Sequence, residues 1–182
     1  MKTISFVILL LLLPLFHLAA QTPARLSIGP AVGYAPLLTY GSDQNSGLTY
    51  GIFGDLQIKN MIGRLSYTGV AKATVPDKHF ESGNLFQGTI GYSFKATDMI
   101  YIPVMISGGA AIITYNNGLS NGSGNNFWDA NPQVGILLAP YYKLTDKIDL
   151  QLNLRYLKGF TVDNRSDEIN VGDVNLGVRF SL

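Results

Sequence analysis

The chain has 182 residues, 47% of them hydrophobic and only 14% charged, with a formal net charge of +1 and no cysteine. That balance argues against nucleic acid or an acidic polymer as partner, and the absence of thiols excludes disulfide staples. The length suits a single domain.

Lys2 is the only charge ahead of an apolar run from Phe6 to Phe16, and Leu18-Ala19-Ala20 supplies small residues before Gln21. This is the pattern of a cleaved secretory signal. An uncleaved anchor is the competing reading, but the run is about half of the roughly 20 residues a spanning helix needs, and Pro14 interrupts it. No cysteine follows the leader, so lipid attachment at a new terminal Cys is excluded. Residues 1–20 are expected to be removed. Residues 21–182, with 12 Lys and Arg against 12 Asp and Glu, are expected to form the mature domain.

From Arg25 onward a period of two recurs, the mark of two-faced strands. The first strand sets Leu26, Ile28, Pro30, Val32 and Tyr34 against Ser27, Gly29, Ala31 and Gly33. In the second, Leu48 to Ile58, Leu48, Tyr50, Ile52 and Leu56 oppose Thr49, Phe53, Asp55 and Gln57. The third opposes Leu65, Tyr67 and Ala71 to Arg64, Ser66, Thr68 and Lys72. The fourth, Leu85 to Lys95, opposes Phe86, Ile90, Tyr92 and Phe94 to Gln87, Thr89, Ser93 and Lys95. Met99 to Tyr115 is apolar on both faces, but Pro103, Gly108-Gly109 and the β-branched residues favour strand over buried helix. Val134 to Lys143 reads similarly, with Pro140 inside it. The seventh has the cleanest alternation, Ile148, Leu150, Leu152, Leu154 and Tyr156 against Asp149, Gln151, Asn153 and Arg155. In the eighth, Ile169 and Val171 fall out of phase with Val174 onward, which predicts a bulge near Gly172.

The connections alternate short and long. Lys59 to Gly63, Ala96 to Asp98 and Leu144 to Lys147 are short; Ala35 to Gly47, Val75 to Asn84, Asn116 to Ala130 and Gly159 to Glu168 are long. An up-and-down meander of even strand number puts all long loops at one rim and both termini at the other. On the apolar face, Tyr34, Tyr50 and Tyr156 then lie near the loop rim, and Phe94, Tyr142 and Phe180 near the turn rim. Amphipathic rings favour both depths of a bilayer.

A soluble sheet turns its apolar face inward; a closed barrel in lipid turns it outward and lines its lumen with the polar face. In the second case the lumen receives Asp55, Gln57, Arg64, Lys72, Gln87, Lys95, Asp149, Gln151, Asn153, Arg155, Asp173, Asn175 and Arg179. Eight strands leave an interior just wide enough for side chains to fill. These groups are therefore expected to pair across it and plug it.

A leader ending Ala-Gln, eight ten-residue strands, Tyr101-Ile102-Pro103 opening the fifth strand and a terminal Gly-Val-Arg-Phe-Ser-Leu resemble the small outer-membrane β-barrel families. The nearest are the PorT-like outer membrane protein β-barrel domains, with OmpA-, OmpX- and OmpW-type barrels as more distant shapes. Members usually end in Phe; here Leu182 takes that place, with Phe180 on the same face. The resemblance implies an eight-stranded antiparallel up-and-down transmembrane β-barrel. It also implies a place in the outer membrane of a Gram-negative envelope, reached through the barrel assembly machinery acting on the C-terminal strand.

The expected role is non-catalytic: an envelope structural or surface-contact protein with four exposed loops, its partners outer-membrane lipids and no nucleic acid. Three rivals have named residues or tests. OmpW-like transport of a small apolar solute would use a side opening where Pro30, Pro103 or Pro140 deletes a ladder donor. A lipid-editing enzyme resembling lipid A deacylases would use His79, near Glu81 and Ser82. A soluble lipocalin-like carrier would have its faces exchanged. No cofactor or metal site is expected. One histidine after the leader leaves only carboxylates, Arg165 breaks the Asp163 to Glu168 run as a calcium loop, and Gly118 to Gly124 lacks a phosphate-binding Lys. Trp128, the only tryptophan, is expected near the membrane interface or a partner.

Overall fold

Alternating β-branched, aromatic and small residues favour a pleated, half-buried backbone. The computed structural model, which describes residues 24–41, 43–71, 80–116, 126–161 and 168–182, is extended almost throughout. Its strands are β1 (Ala24–Tyr40), β2 (Asp43–Ile58), β3 (Met61–Ala71), β4 (Phe80–Lys95), β5 (Ile100–Asn116), β6 (Asn126–Leu138), β7 (Tyr141–Lys143), β8 (Ile148–Gly159) and β9 (Ile169–Ser181). Neighbours around the wall pair antiparallel, β6 and β7 both lying between β5 and β8, and β9 closes on β1. β6 and β7 are one strand: Leu138↔Leu154 and Tyr141↔Gln151 keep a single register, as do Val104↔Leu138 and Ile100↔Tyr142. The wall is a closed eight-stranded up-and-down barrel.

Pro140 splits that strand only by lacking an N–H. Its carbonyl still accepts from Leu152 N at 2.9 Å, and Ala139 N donates to Pro103 O at 3.0 Å, so the ladder spans the site without a gap. Pro30 likewise lies in register opposite Ile52. The side opening that the rival transport reading would place at these prolines meets a continuous ladder at Pro103 and Pro140, whereas at Pro30 the β1–β9 pairing skips from Ile28↔Phe180 to Ala31↔Gly177.

Four boundaries differ from expectation. The stretch Ala35 to Gly47 is not a loop: β1 and β2 continue as a hairpin to a tight turn at Gly41, whose φ of 56° suits glycine. Residues 80–84 and 126–130 are likewise strand rather than loop. At the other rim, the β2–β3 turn shrinks to Lys59 and Asn60, with Ile58 paired to Met61 and Lys59 left-handed at φ 54°. The bulge is also displaced. β9 keeps one register with β8 from Ile148↔Phe180 to Leu157↔Val171. The extra residue lies in β1, between Ala35 and Leu38, across from Gly172.

From Leu26 the paired partners run through Leu56, Gly63, Ile90, Ile106, Ile136, Tyr156 and Gly172 back to Leu37. That is eleven residues up β1, one of them the bulge, so the shear is ten. Eight strands with this shear tilt roughly 40° from the axis and rise roughly 2.5 Å per residue along it.

The assignment of the apolar face to the outside and the polar face to the lumen holds. Leu26, Val32, Leu48, Ile52, Leu65, Ile90, Ile106, Ile136 and Leu176 are exposed on the outside, whereas Asp55, Arg64, Asp149, Arg155, Asp173 and Arg179 are buried within. Toward the loop rim the pattern inverts. Leu38, Val70, Phe80, Leu85, Ile113, Leu157, Ile169 and Val171 form one buried apolar cluster inside the barrel, with Tyr40 packed against it. Ile169 and Val171 are thus in phase with Asp173 and point inward with it; the residue type changes, not the register.

Candidate functional site: a filled lumen

Inward positions on every strand converge on the axis, and side chains long enough to reach it meet. Arg64, from β3, grips Asp55 of β2 through both oxygens, Nε to Oδ1 at 2.6 Å and Nη2 to Oδ2 at 2.8 Å. Its third nitrogen, Nη1, crosses the lumen to Asn153 Oδ1 on β8 at 2.7 Å. Arg155 of β8 donates through Nε and Nη2 to Asp173 of β9, and its Nη2 crosses to Thr68 Oγ1 of β3 at 3.0 Å. Nearer the turn rim Arg179 Nε donates to Asp149 Oδ2 at 2.9 Å, with Asp55 Oδ2 3.7 Å from its Nη1. The Arg179 guanidinium lies 3.8 Å over the Tyr141 ring, and that of Arg64 lies 4.2 Å over Phe53. These rings cover charged planes that water would otherwise solvate.

Three guanidiniums (Arg64, Arg155, Arg179) face three carboxylates (Asp55, Asp149, Asp173), none more than 8% exposed. A buried charge is tolerable when paired and hydrogen-bonded, and here the balance is neutral. Amides extend the network: Gln87 Nε2 donates to Gln133 Oε1 at 3.1 Å, and Gln133 Nε2 to the Ile169 carbonyl at 2.9 Å. The space enclosed among Arg64, Thr68, Asn153, Arg155, Asp173 and Asn175 is about 30 Å³. That is room for about two waters.

Of the expected lumen residues, Asp55, Arg64, Gln87, Asp149, Gln151, Asn153, Arg155, Asp173, Asn175 and Arg179 are buried there, and Gln57 is half-buried. Lys95 is not among them. It lies exposed at a turn, paired with Asp98 at 2.6 Å, because the strand ends there and the long side chain reaches water. The hydrogen bond and charge of Asp98 raise the Lys95 pKa, and those of Lys95 lower that of Asp98. Lys72 and His79 lie outside the described residues, as do 117–125 and 162–167. Participants outside that expected set include Arg25, which donates to Ser181 Oγ and Asp149, and Thr49, Phe53, Thr68, Gln133 and Tyr141. Each occupies an inward phase, so extending the alternation would have found it.

Outside, tyrosines mark two levels. Tyr34 OH donates to Ser46 Oγ at 2.7 Å and Tyr67 OH to Asn84 Oδ1 at 2.8 Å, both loopward, whereas Asn60 Nδ2 donates to Tyr92 OH at 2.7 Å at the turn rim.

The fold has solved counterparts. The crystal structure of Neisserial surface protein A superposes with a TM-score of 0.71 at 15% identity, covering 88% of this chain and 99% of that one. The fold is that of the small eight-stranded outer-membrane barrels. A major outer membrane protein from Thermus thermophilus shares it (TM-score 0.61, 10% identity, 88% of this chain and 100% of that one). So does Ail, the attachment invasion locus protein of Yersinia pestis (0.52, 13%, 87% and 97%). Ail is also known in complex with the heparin analogue sucrose octasulfate. No protein-family model matches the sequence of this barrel, and no curated protein matches it as a relative.

Proposed function

We propose that the protein is an integral outer-membrane barrel serving as a sealed, non-catalytic anchor, an envelope structural or surface-contact protein that holds its loop rim at the cell surface. The observation that supports it is the lumen: a neutral, cross-linked charge network lies beneath an apolar plug, inside a wall that is apolar outside. A solute path would have to break the cross-lumen bonds of Arg64 and Arg155 and then hydrate the Leu38–Leu85–Ile169 cluster. Export depends on cleavage before Gln21, and the C-terminal strand, with Phe180 and Leu182 exposed on its outer face, is the segment offered to barrel assembly machinery. Planar-bilayer recording of the refolded mature chain is expected to give no steady conductance steps; steady steps would overturn the sealed anchor. Fractionation by density, with heat-modifiable migration on a gel, tests the location.

A further inference from the structure

We infer that the bilayer ends at the loopward tyrosine level and that the barrel beyond it stands in water as a collar with its own apolar core. This rests on the membrane reading above and fixes which surface the lipid covers.

Three independent features coincide at one height. Strand length is the first. Crossing a bilayer takes about 9–11 tilted residues, whereas β1, β2, β4 and β5 have 16 or 17. The second is the ring of aromatics. With a shear of ten, level rows step back about one and a quarter residues per strand. On such rows Tyr34, Tyr50, Tyr67, Phe86 and Tyr156 fall together at one level, and Tyr92, Phe94, Tyr142 and Phe180 at the other. The band from Leu26 to Tyr34 is nine residues of β1, or roughly 20–25 Å of height with its side chains, the thickness of an outer-membrane apolar belt.

The third is the exchange of polarity. Above Tyr34 and Tyr156 the interior is built round an apolar cluster, with the buried amides of Asn45, Asn131 and Gln133 beside it, and the outer wall carries Thr39, Gln44, Ser46, Ser82, Asn84, Lys158 and Asn170. Lys158 is half-exposed and paired with Glu168 at 2.6 Å. A wall with polar groups outside and a greasy centre is the arrangement that water, not lipid, stabilises. Lipid on this section would desolvate the Lys158–Glu168 pair, and water below it would wet Leu65, 75% exposed.

Trp128 reports on this directly. It is the only tryptophan, 72% exposed on the outer wall of β6, six residues and roughly 15 Å of height beyond Val134. The mature chain is refolded into vesicles of phosphatidylcholine with brominated acyl chains, and its emission is titrated with aqueous iodide. Trp128 is expected to lose most of its emission to iodide and none to bromine. The variant Trp128→Phe/Leu65→Trp, with the new ring at mid-band between Gly54 and Gly88, is expected to reverse both. If Trp128 is quenched by bromine while the Leu65→Trp ring also is, the collar is refuted and the membrane barrel stands. If Trp128 is shielded from both quenchers, the water-facing collar is equally refuted. If the Leu65→Trp ring in a heat-modifiable barrel is quenched by iodide instead of bromine, the membrane reading itself falls.

Discussion

Removing one partner of a buried ion pair exposes the physics of the lumen most directly, and Arg155 with Asp173 is the pair to use. Asp173 is 3% and Arg155 8% exposed, and the guanidinium satisfies both carboxylate oxygens and Thr68. In Arg155→Met the methylene stem is largely kept, but Asp173 is left as a buried charge without its donor, a loss of about 3–5 kcal/mol. Asp173→Val strands Arg155 in the same way and costs a similar ~3–5 kcal/mol. The double variant removes both charges and replaces them with apolar groups, so it is expected within about 2 kcal/mol of the parent. The cycle therefore gives a coupling of at least about 4 kcal/mol. Equilibrium urea unfolding in lipid vesicles, read by heat-modifiable mobility, resolves this: each single variant lowers the midpoint by more than about 1 M. Single variants within about 1 kcal/mol of the parent, with an additive double, would mean that bulk water screens the lumen, and the sealed interior would be abandoned.

Leu176→Arg places a cation at mid-band on a face where Leu176 is 57% exposed, and is expected to destabilise by about 2–4 kcal/mol in the same titration. Two glycines of the wall should respond oppositely to Ala. At Gly29 a Cβ would lie 2.0 Å from the Val178 carbonyl, whereas at Gly108 nothing lies within 4 Å; the folded yield is expected to collapse for Gly29→Ala and hold for Gly108→Ala. For pH, Asp98 has its pKa lowered below 3.8 by the Lys95 hydrogen bond. Its contribution is therefore present above the unfolded value and lost as pH falls through the folded one. Carboxyl NMR is expected to show a midpoint below 3.8 that rises in Lys95→Met.

The two-faced strands are legible because one rule governs them: in β1 from Leu26 to Tyr34, or β8 from Ile148 to Tyr156, residue type reports the face. The same rule misleads where it is carried too far. Ala35 to Gly47 and residues 80–84 lack an apolar-out pattern, since their apolar members Leu38 and Phe80 point inward, so they read as loops. Ile169 and Val171 read as out of phase for the same reason, which points to a bulge in β9 although the extra residue is in β1. The lumen's charged members follow from phase alone. Their partners do not, because which carboxylate a guanidinium reaches depends on shear and on the diameter it spans.

That diameter is tied most closely along one line. Counted around the wall, β3 and β8 stand opposite each other, and two bonds that cross the bore, Arg64 to Asn153 and Arg155 to Thr68, join these two strands, while a longer one, Tyr141 to Gln57 at 3.4 Å, joins the opposed β7 and β2. The first two act as tie rods set one above the other. Lateral stress that stretched the cylinder along this axis into an oval would have to pull both ties apart, so the cross-section keeps its round shape by tension from within.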